Sequence, residues 1–234
     1  MTPKDALKQL INDIQKTAEP LTAQDRAGGF KGWHVAGRLP HCDTPGTRQF
    51  VTFRLADALP LSALIPKPGQ RPSFTTDEAV LRIESLLDDS VGRCELALPE
   101  IAELVERSLW HHDGIRYRLE AWVIMPNHVH VLLEIWDTPL LRVVKSWKGY
   151  TATQANRILG RRGTFWQRDY FDRYIRGDGH FQQIVRYIEM NPVKAGLVLD
   201  PLEWCWGSAR HRGKPGRLVP ELTHPTANRT RGIV

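Results

Sequence analysis

Two strand-like runs separated by a tight corner constrain the fold of this 234-residue chain most strongly. The runs RYRLEAWVIMP and HVHVLLEIW are rich in β-branched and aromatic residues, and little more than the Pro126-Asn127 corner lies between them. Segments of this composition pair across a short corner as an antiparallel hairpin. We therefore predict that this hairpin forms the centre of a β-sheet.

The flanking segments supply an alternating order of strands and helices. We predict further strands in RQFVTFRL and RGTFWQRDYFDRYIR, because both runs are rich in β-branched and aromatic residues. Apolar residues at helical spacing predict a leading helix at 4–17, a long or broken helix from Thr76 to Gly114, a helix from about 140 to Gly160, and one in HFQQIVRYIEM that ends at Asn191-Pro192. The order strand, helix, strand, strand, helix, strand, helix predicts an α+β fold with the ferredoxin-like split βαβ arrangement, in which helices pack on one face of an antiparallel sheet.

Length and composition favour one domain with extensions. With 41% hydrophobic and 25% charged residues, the chain is typical of a globular protein that buries one core. We expect residues 1–40 to form a helix or arm, residues 41–210 to form the principal domain, and residues 211–234 to form a polar, flexible tail.

Charge and cysteine content narrow the partners and the compartment. Positive side chains exceed negative ones by six, which favours a polyanionic partner such as nucleic acid. Cys42, Cys94 and Cys205 are odd in number and form no CxxC pair, so we expect reduced thiols in an intracellular protein. No apolar run approaches the roughly 20 residues of a membrane span, and we predict a soluble, cytoplasmic protein.

His128 and His130 are the first candidates for chemistry. Side chains alternate along a strand, so both imidazoles point to the same face of the sheet and can share one metal ion. We expect the pair to lie on an exposed face. Taken alone, an H-x-H pair is more often only two polar residues on such a face.

Tyr187 and Asn191 are the second candidates. They lie four residues apart on the last predicted helix, so the phenol and the amide project from the same side of that helix. An amide oxygen can complete a site for a hard cation. The alternative is that Tyr187 is a core aromatic residue and that Asn191 only ends the helix before Pro192.

Three motifs that follow one another along the chain identify a known group of proteins. The runs WVIMPNHVHVLLE, FWQRDYFDRYIR and VRYIEMNPVKAGLV closely resemble the REP-associated tyrosine transposases, which belong to the HUH single-strand endonucleases. The resemblance covers about residues 48 to 208, with a further match in GWHVAGRLPHCDTPGTRQFVTFRLADALP.

The resemblance implies a mechanism and its residues. It implies that His128 and His130 bind a divalent metal, Mg²⁺ or Mn²⁺, with Asn191 as the third ligand. The position before the NPVKAG block implies Tyr187 as the nucleophile, and not Tyr170 or Tyr174. Attack on single-stranded DNA leaves a 5′-phosphotyrosine and a free 3′-hydroxyl, which can later join a different end.

The resemblance also implies a substrate and a setting. The DNA is expected to be a repetitive extragenic palindrome folded as a hairpin, in the cytoplasm and associated with the nucleoid, and a monomer is favoured over a homodimer. Basic and aromatic residues that alternate along the chain are candidates for contacts to this DNA. They are Arg173 and Arg176 as the better candidates, followed by Arg168, Lys145, Lys148 and Trp166. For Lys145, Lys148 and Trp166, a solvated charge or a buried ring is the stronger interpretation.

Two other functions remain open from the sequence. One is a non-catalytic nucleic-acid binder that uses a ferredoxin-like sheet as RNA-recognition modules do, although HVHVLL carries no aromatic binding motif. The other is a metal-dependent phosphodiesterase in which water is the nucleophile. Such an enzyme would retain activity without Tyr187.

Overall fold

A four-stranded antiparallel sheet forms the centre of the computed structural model, which describes residues 21–36, 39–58, 92–214 and 217–218. The helix predicted at 4–17, the start of the helix predicted from Thr76, and most of the tail lie outside these residues. In chain order the elements are α1 (Ala23–Gly28), β1 (Gly32–Ala36), β2 (Leu39–Asp43), β3 (Arg48–Arg54), α2 (Pro99–Trp110), β4 (Tyr117–Ile124), β5 (His128–Ile135), α3 (Leu140–Ile158), β6 (Phe171–Tyr174), α4 (Gly177–Lys194), β7 (Arg212–Lys214) and β8 (Arg217–Leu218).

The strand order of the central sheet is β4, β5, β3, β6. All three neighbouring pairs are antiparallel, and the predicted hairpin is present as β4 and β5. At its corner the Met125 N–H donates to the His128 carbonyl at 2.9 Å. Because the two strands that precede the helical connections, β3 and β5, lie side by side in the middle of the sheet, this order is the ferredoxin-like one. The predicted α+β class and strand arrangement are confirmed.

The helices lie on both faces of the sheet, and the prediction that they all pack on one face is wrong for α4. On β5, Val129 and Val131 belong to the core that includes residues of α2 and α3. Leu132 points the other way and packs with Val185 and Ile188 of α4. Because β4 and β5 carry apolar side chains on both faces, each face must be covered to remove them from water.

The hairpin of β1 and β2 was not foreseen. It extends the fold beside the edge strand β6, where the Trp33 and Tyr174 rings lie 6.0 Å apart in an edge-on arrangement and His41 Nδ1 contacts the Asp172 carboxylate. Strand β2 also runs across residue 40, where the arm was expected to end.

Two helix ends show how local chemistry sets the limits. Helix α3 follows its prediction closely, whereas α4 continues past Asn191-Pro192 to Lys194. Pro192 removes one backbone N–H from the helix, and only Val193 and Lys194 follow it before α4 ends. The chain leaves α4 at Gly196, which has φ +70°, and the Leu197 N–H donates to the Pro192 carbonyl.

Two further features concern the cysteines and the helices. Cys42, Cys94 and Cys205 form no disulfide bond with one another. Among the residues that the structure describes, no helix is both long and apolar enough to cross a membrane.

Candidate active site

His128 and His130 lie on the α4 face of β5, and neither side chain is exposed to solvent. Their Nε2 atoms are 3.1 Å apart. The prediction that both imidazoles share one face is confirmed, and the expectation that this face is exposed is wrong. Helix α4 covers it, because Leu132 and the neighbouring apolar residues of β4 require a packing partner.

Burial keeps both imidazoles neutral. It lowers the pKa of His128 to about 3, with a smaller contribution from the positive charge of Arg54. Burial also lowers the pKa of His130 far below its ordinary value, with contributions from His128 and Lys194. A neutral imidazole keeps one nitrogen lone pair, which is the form that binds a metal ion.

The outer ring nitrogens are held by polar neighbours. His128 Nδ1 lies 2.7 Å from Asn127 Oδ1, an acceptor, so Nδ1 carries the proton and Nε2 has the lone pair. His130 Nδ1 lies 2.8 Å from the Thr52 hydroxyl, which can donate or accept. Hydrogen bonds of this kind orient metal-binding histidines and fix their tautomer.

The tautomer of His130 determines what the pair can do. If Thr52 donates to Nδ1, the His130 Nε2–H donates to His128 Nε2 and the pair closes on itself. If His130 Nδ1–H donates to Thr52, two lone pairs meet at 3.1 Å, which is favourable only with a cation between them. Two nitrogens that each lie about 2.0–2.1 Å from one metal, at an angle between about 90° and the tetrahedral one, are about 2.8–3.4 Å apart. The observed separation fits a shared ion.

Tyr187 is next to this pair. Its ring centroid is 5.5 Å from that of His130, and the two rings meet edge to face. Phe50 supports both, since it stacks on His130 at 5.3 Å and meets Tyr187 edge-on at 5.9 Å. The side chain of Tyr187 is half-buried, and its hydroxyl oxygen is buried, so only part of the ring meets solvent.

Asn191 has the features of a ligand more than those of a helix end. It lies one helical turn after Tyr187 in α4 and is completely buried. Neither Oδ1 nor Nδ2 has a hydrogen-bond partner among the residues that the structure describes. An unsatisfied buried amide costs about 1–3 kcal/mol, so such a group implies a missing partner.

The donor set at this place fits a divalent cation that accepts nitrogen and oxygen. No group of three His, Cys, Asp or Glu side chains in the described part of the chain has metal-binding geometry. With the Asn191 amide oxygen as the predicted third donor, a site with two imidazoles, one oxygen and open positions would suit Mn²⁺ and tolerate Mg²⁺.

Four of the predicted DNA-contacting residues are at least partly accessible. Arg173 on β6 is half-buried and lies directly opposite Phe50 on β3. Its side chain is therefore on the same face of the sheet as the histidines. Arg176 is exposed at the start of α4. Arg168 is exposed in the loop before β6, and Lys145 is exposed on α3, which covers the opposite face. For all four, the contact to DNA stays a prediction.

The other two predicted contacts are engaged inside the protein. Trp166 is 4% exposed and donates from Nε1 to the Thr151 hydroxyl at 2.9 Å, so no face of its ring is open to a base. The Lys148 ammonium donates to the carbonyls of Gln167 and Arg168 at 2.6 and 2.9 Å. These two residues build the core and the loop before β6, which speaks against their predicted DNA contacts.

Two positively charged side chains near the histidines were not predicted from the sequence. Arg54 is directly opposite His128 in the pairing of β3 with β5, and its Nε is buried without a hydrogen-bond partner in the described residues. Lys194 Nζ lies 5.6 Å from the centroid of the Tyr187 ring. The period of two along β3 placed Arg54 on one face with Thr52, but only the register with β5 reveals which face that is.

Comparisons with known proteins show similarity to transposases. Residues 101–191 match the model of the family described as IS200-like transposases. A putative REP-associated tyrosine transposase of Haemophilus influenzae is 28% identical over 128 residues, which are 49% of this chain and 72% of that protein. The REP-associated tyrosine transposase of Escherichia coli is 29% identical over 106 residues, which are 44% of this chain and 61% of that protein.

A solved structure has the same fold. The structure of a REP-associated tyrosine transposase bound to a REP hairpin aligns with a TM-score of 0.50 at 18% identity, and the alignment covers 75% of this chain and 84% of that chain. The matched family segment contains the histidine pair, Tyr187 and Asn191. The chain is therefore similar to the REP-associated tyrosine transposases, and its residues 101–191 match the IS200-like transposase family.

Proposed function

We propose that this protein is a metal-dependent transesterase that cleaves and rejoins single-stranded DNA at palindromic REP-type hairpins through a 5′-phosphotyrosine intermediate. The observation that carries the proposal is the juxtaposition at α4. Two neutral histidine Nε2 atoms 3.1 Å apart lie beside the Tyr187 ring, and a buried amide without a partner follows one turn later.

His128, His130 and Asn191 are the residues that would hold the cation. When bound, Mg²⁺ or Mn²⁺ would withdraw charge from the scissile phosphate and favour the phenolate, because an unperturbed tyrosine hydroxyl has a pKa of about 10 and is a poor nucleophile at neutral pH. Asn127 and Thr52 keep the imidazoles oriented with their Nε2 atoms towards this place.

Tyr187 carries out the covalent step. Its hydroxyl oxygen forms a bond to phosphorus while the bond from phosphorus to the 3′-oxygen breaks, and the proton of the phenol is given up as the leaving 3′-oxygen gains one. The products are a 5′-phosphotyrosine and a 3′-hydroxyl. Attack of a 3′-hydroxyl on the phosphotyrosine reverses the sequence and joins DNA without a nucleotide cofactor.

Charge and kinship support a hairpin substrate. The chain has a formal net charge of +6, and Arg173 and Arg176 occur on the side of the sheet where α4 lies. The solved relative is bound to a REP hairpin. We extend that substrate class to this chain as part of the proposal, together with a monomeric state and a location at the nucleoid.

Neither alternative function gains support from the structure. A sheet that binds RNA needs an open face for stacked bases, and here α2 and α3 cover one face while α4 covers the other. A phosphodiesterase that uses water leaves the position of Tyr187 beside His130 without a role.

The proposal is tested by covalent capture. Labelled single-stranded hairpins from palindromic repeats of the source genome are incubated with the wild-type protein and the Tyr187→Phe variant, with Mn²⁺ or with chelator, and resolved on a denaturing gel. We expect a protein–DNA adduct only with the wild type and only with metal. Tyr150→Phe is the matched control, because Tyr150 is 55% exposed on α3.

The outcomes separate the three functions. Hairpin binding without adduct would overturn the enzymatic proposal and leave a DNA-binding protein. Cleavage that survives in Tyr187→Phe would identify water as the nucleophile. Loss of hairpin binding in Tyr187→Phe would mean that the phenol serves binding and not chemistry.

A further inference from the structure

A groove of about 460 Å³ runs along the exposed side of α4, beside the proposed nucleophile. Its lining combines cations with apolar and amide side chains. The residues are Gln183, Arg186, Tyr187, Met190, Val193 and Lys194. The proposed covalent step uses only Tyr187 of this set, so the other five have no assigned role.

Lys194 links the groove to the chemistry. Its side chain is exposed, its Nζ lies 5.6 Å from the centroid of the Tyr187 ring, and its charge also acts on His130. A cation that is close to both the phenol and the histidine pair is also close to where a phosphate must approach them. An ammonium group at that point attracts an anion in any orientation, since it has three donors on a flexible stem.

The apolar part of the groove suits a base. Met190 is 36% exposed, and Val193, which also lines the groove, is half-buried. Bases of single-stranded DNA pack against apolar and aromatic side chains while the backbone follows cations. Arg186 provides a second positive charge along the same side of α4.

We propose that this groove is the subsite for the nucleotide that adjoins the scissile phosphate, and that Lys194 contacts the phosphate that Tyr187 attacks. The inference rests on the proposed function and deepens it. A single-stranded segment is the occupant because Tyr187 lines the groove, which pairs positive charge with an apolar surface. A duplex presents its bases stacked inward and cannot offer one to Met190.

A charge-neutralised substrate tests the contact of Lys194. In a Tyr187→Phe background, which holds the DNA uncut, hairpin affinity is measured with and without one neutral methylphosphonate at the mapped cleavage phosphate. If Lys194 binds this phosphate, the methylphosphonate weakens binding by about tenfold in the parent and by much less in Lys194→Met, and Lys194→Met lowers the slope of log affinity against log salt by about one.

Lys31→Met is the matched control, because Lys31 is an exposed lysine outside the groove. It should keep the full methylphosphonate penalty. An equal penalty in Lys194→Met and in the parent would overturn the contact.

Adduct formation tests the consequence for the reaction. At saturating hairpin and metal, Lys194→Met should slow adduct formation by about 10²-fold, as expected for the loss of one charged donor to a reacting phosphate, whereas Lys194→Arg should stay within about tenfold of the wild type. Equal rates for both variants and the wild type would overturn the role of Lys194.

An abasic nucleotide next to the cleavage phosphate tests the base contact. It should weaken wild-type binding, and it should have little further effect in Met190→Ser. Leu199→Ser is the control, since Leu199 is 93% exposed outside the groove. An undiminished abasic penalty in Met190→Ser would overturn the subsite.

The two proposals fail in different ways. If the wild type forms no adduct with any hairpin, the proposed function fails. If the wild type forms the adduct and the substitutions at Lys194 and Met190 change nothing, only this inference fails.

Discussion

Both faces of the central sheet are covered by helices, but the two faces differ in how their buried polar atoms are hydrogen-bonded. On the face covered by α2 and α3, the polar atoms of most large aromatic residues are hydrogen-bonded, and the exception is the Trp110 indole N–H, which is buried without a partner among the described residues. The Trp147 indole donates to the Tyr117 hydroxyl at 2.9 Å, and that hydroxyl donates to the Leu109 carbonyl at 2.5 Å. On the face covered by α4, the Asn191 amide is buried with neither polar atom bonded to any described residue.

This difference separates stability from function within one sheet. A buried network that is fully satisfied adds to stability, whereas a buried polar group without partners lowers it. Proteins keep such costly groups where a ligand completes them. The α2–α3 face is accordingly expected to determine whether the chain folds, and the α4 face to determine whether it reacts.

The largest expected loss of stability comes from removing a large side chain from the α2–α3 face. Phe53 is 1% exposed and packs against the rings of Trp147 and Trp166. Phe53→Ala should lower the free energy of unfolding by about 3–5 kcal/mol, because the cavity cannot collapse between two rigid indoles. Denaturant unfolding followed by tryptophan fluorescence measures the change. A loss below about 1 kcal/mol would show that this face is not the principal core.

Much of this organisation was readable from the sequence. The β4–β5 hairpin and the shared face of His128 and His130 follow from the period of two and a short corner. The ferredoxin-like arrangement follows from the order of strands and helices along the chain. What the sequence could not supply is which face each helix covers, because HVHVLLEI carries apolar residues on both sides of the strand. The burial of the histidines therefore came as a correction.

The surroundings of the site were readable only in part. Arg54 and Thr52 meet the histidines through the register of β3 with β5, a long-range pairing that no local pattern encodes. Trp166 and Lys148 were only secondary candidates for DNA contacts, because alternation of basic and aromatic residues predicts a binding surface and a buried loop equally well. Their hydrogen bonds to Thr151 and to two carbonyls decide the matter.

The contribution of the α2–α3 face to stability should depend on pH through Glu106. Burial raises the pKa of Glu106 to about 7, and the Trp122 indole donates to its carboxylate at 3.1 Å and opposes that shift. Because the pKa of Glu106 is higher in the folded state, the contribution of its protonated carboxyl group to stability is fully present below about pH 4.5. This contribution is lost as the pH rises through about 7.

Replacement of Glu106 by an uncharged isostere should remove this dependence. Glu106→Gln should raise the free energy of unfolding by about 1–3 kcal/mol at pH 8 and change it little at pH 4, since glutamine keeps an acceptor for Trp122. Denaturant titrations at the two pH values measure the difference. An equal effect at both would mean that Glu106 titrates normally in the folded protein.

The smallest expected effects come from removing buried polar atoms. The change in the free energy of unfolding should have opposite signs on the two faces. Thr151 accepts from the Trp166 indole at 2.9 Å and donates to the Trp147 carbonyl at 2.6 Å. Thr151→Val breaks both bonds and should lower the free energy of unfolding by about 1–2 kcal/mol. Asn191→Leu removes two buried polar atoms that have no partner in the described residues, and in the absence of metal it should raise the same quantity by about 1 kcal/mol.

The same Asn191→Leu variant should bind Mn²⁺ more weakly, by about 10- to 100-fold in a calorimetric titration, because it lacks the amide oxygen. Stability gained together with metal affinity lost is the signature of a group retained for its ligand. A loss of stability on Asn191→Leu in metal-free buffer would mean that the amide already serves the fold, and the contrast between the two faces would then rest on the histidines and Tyr187 alone.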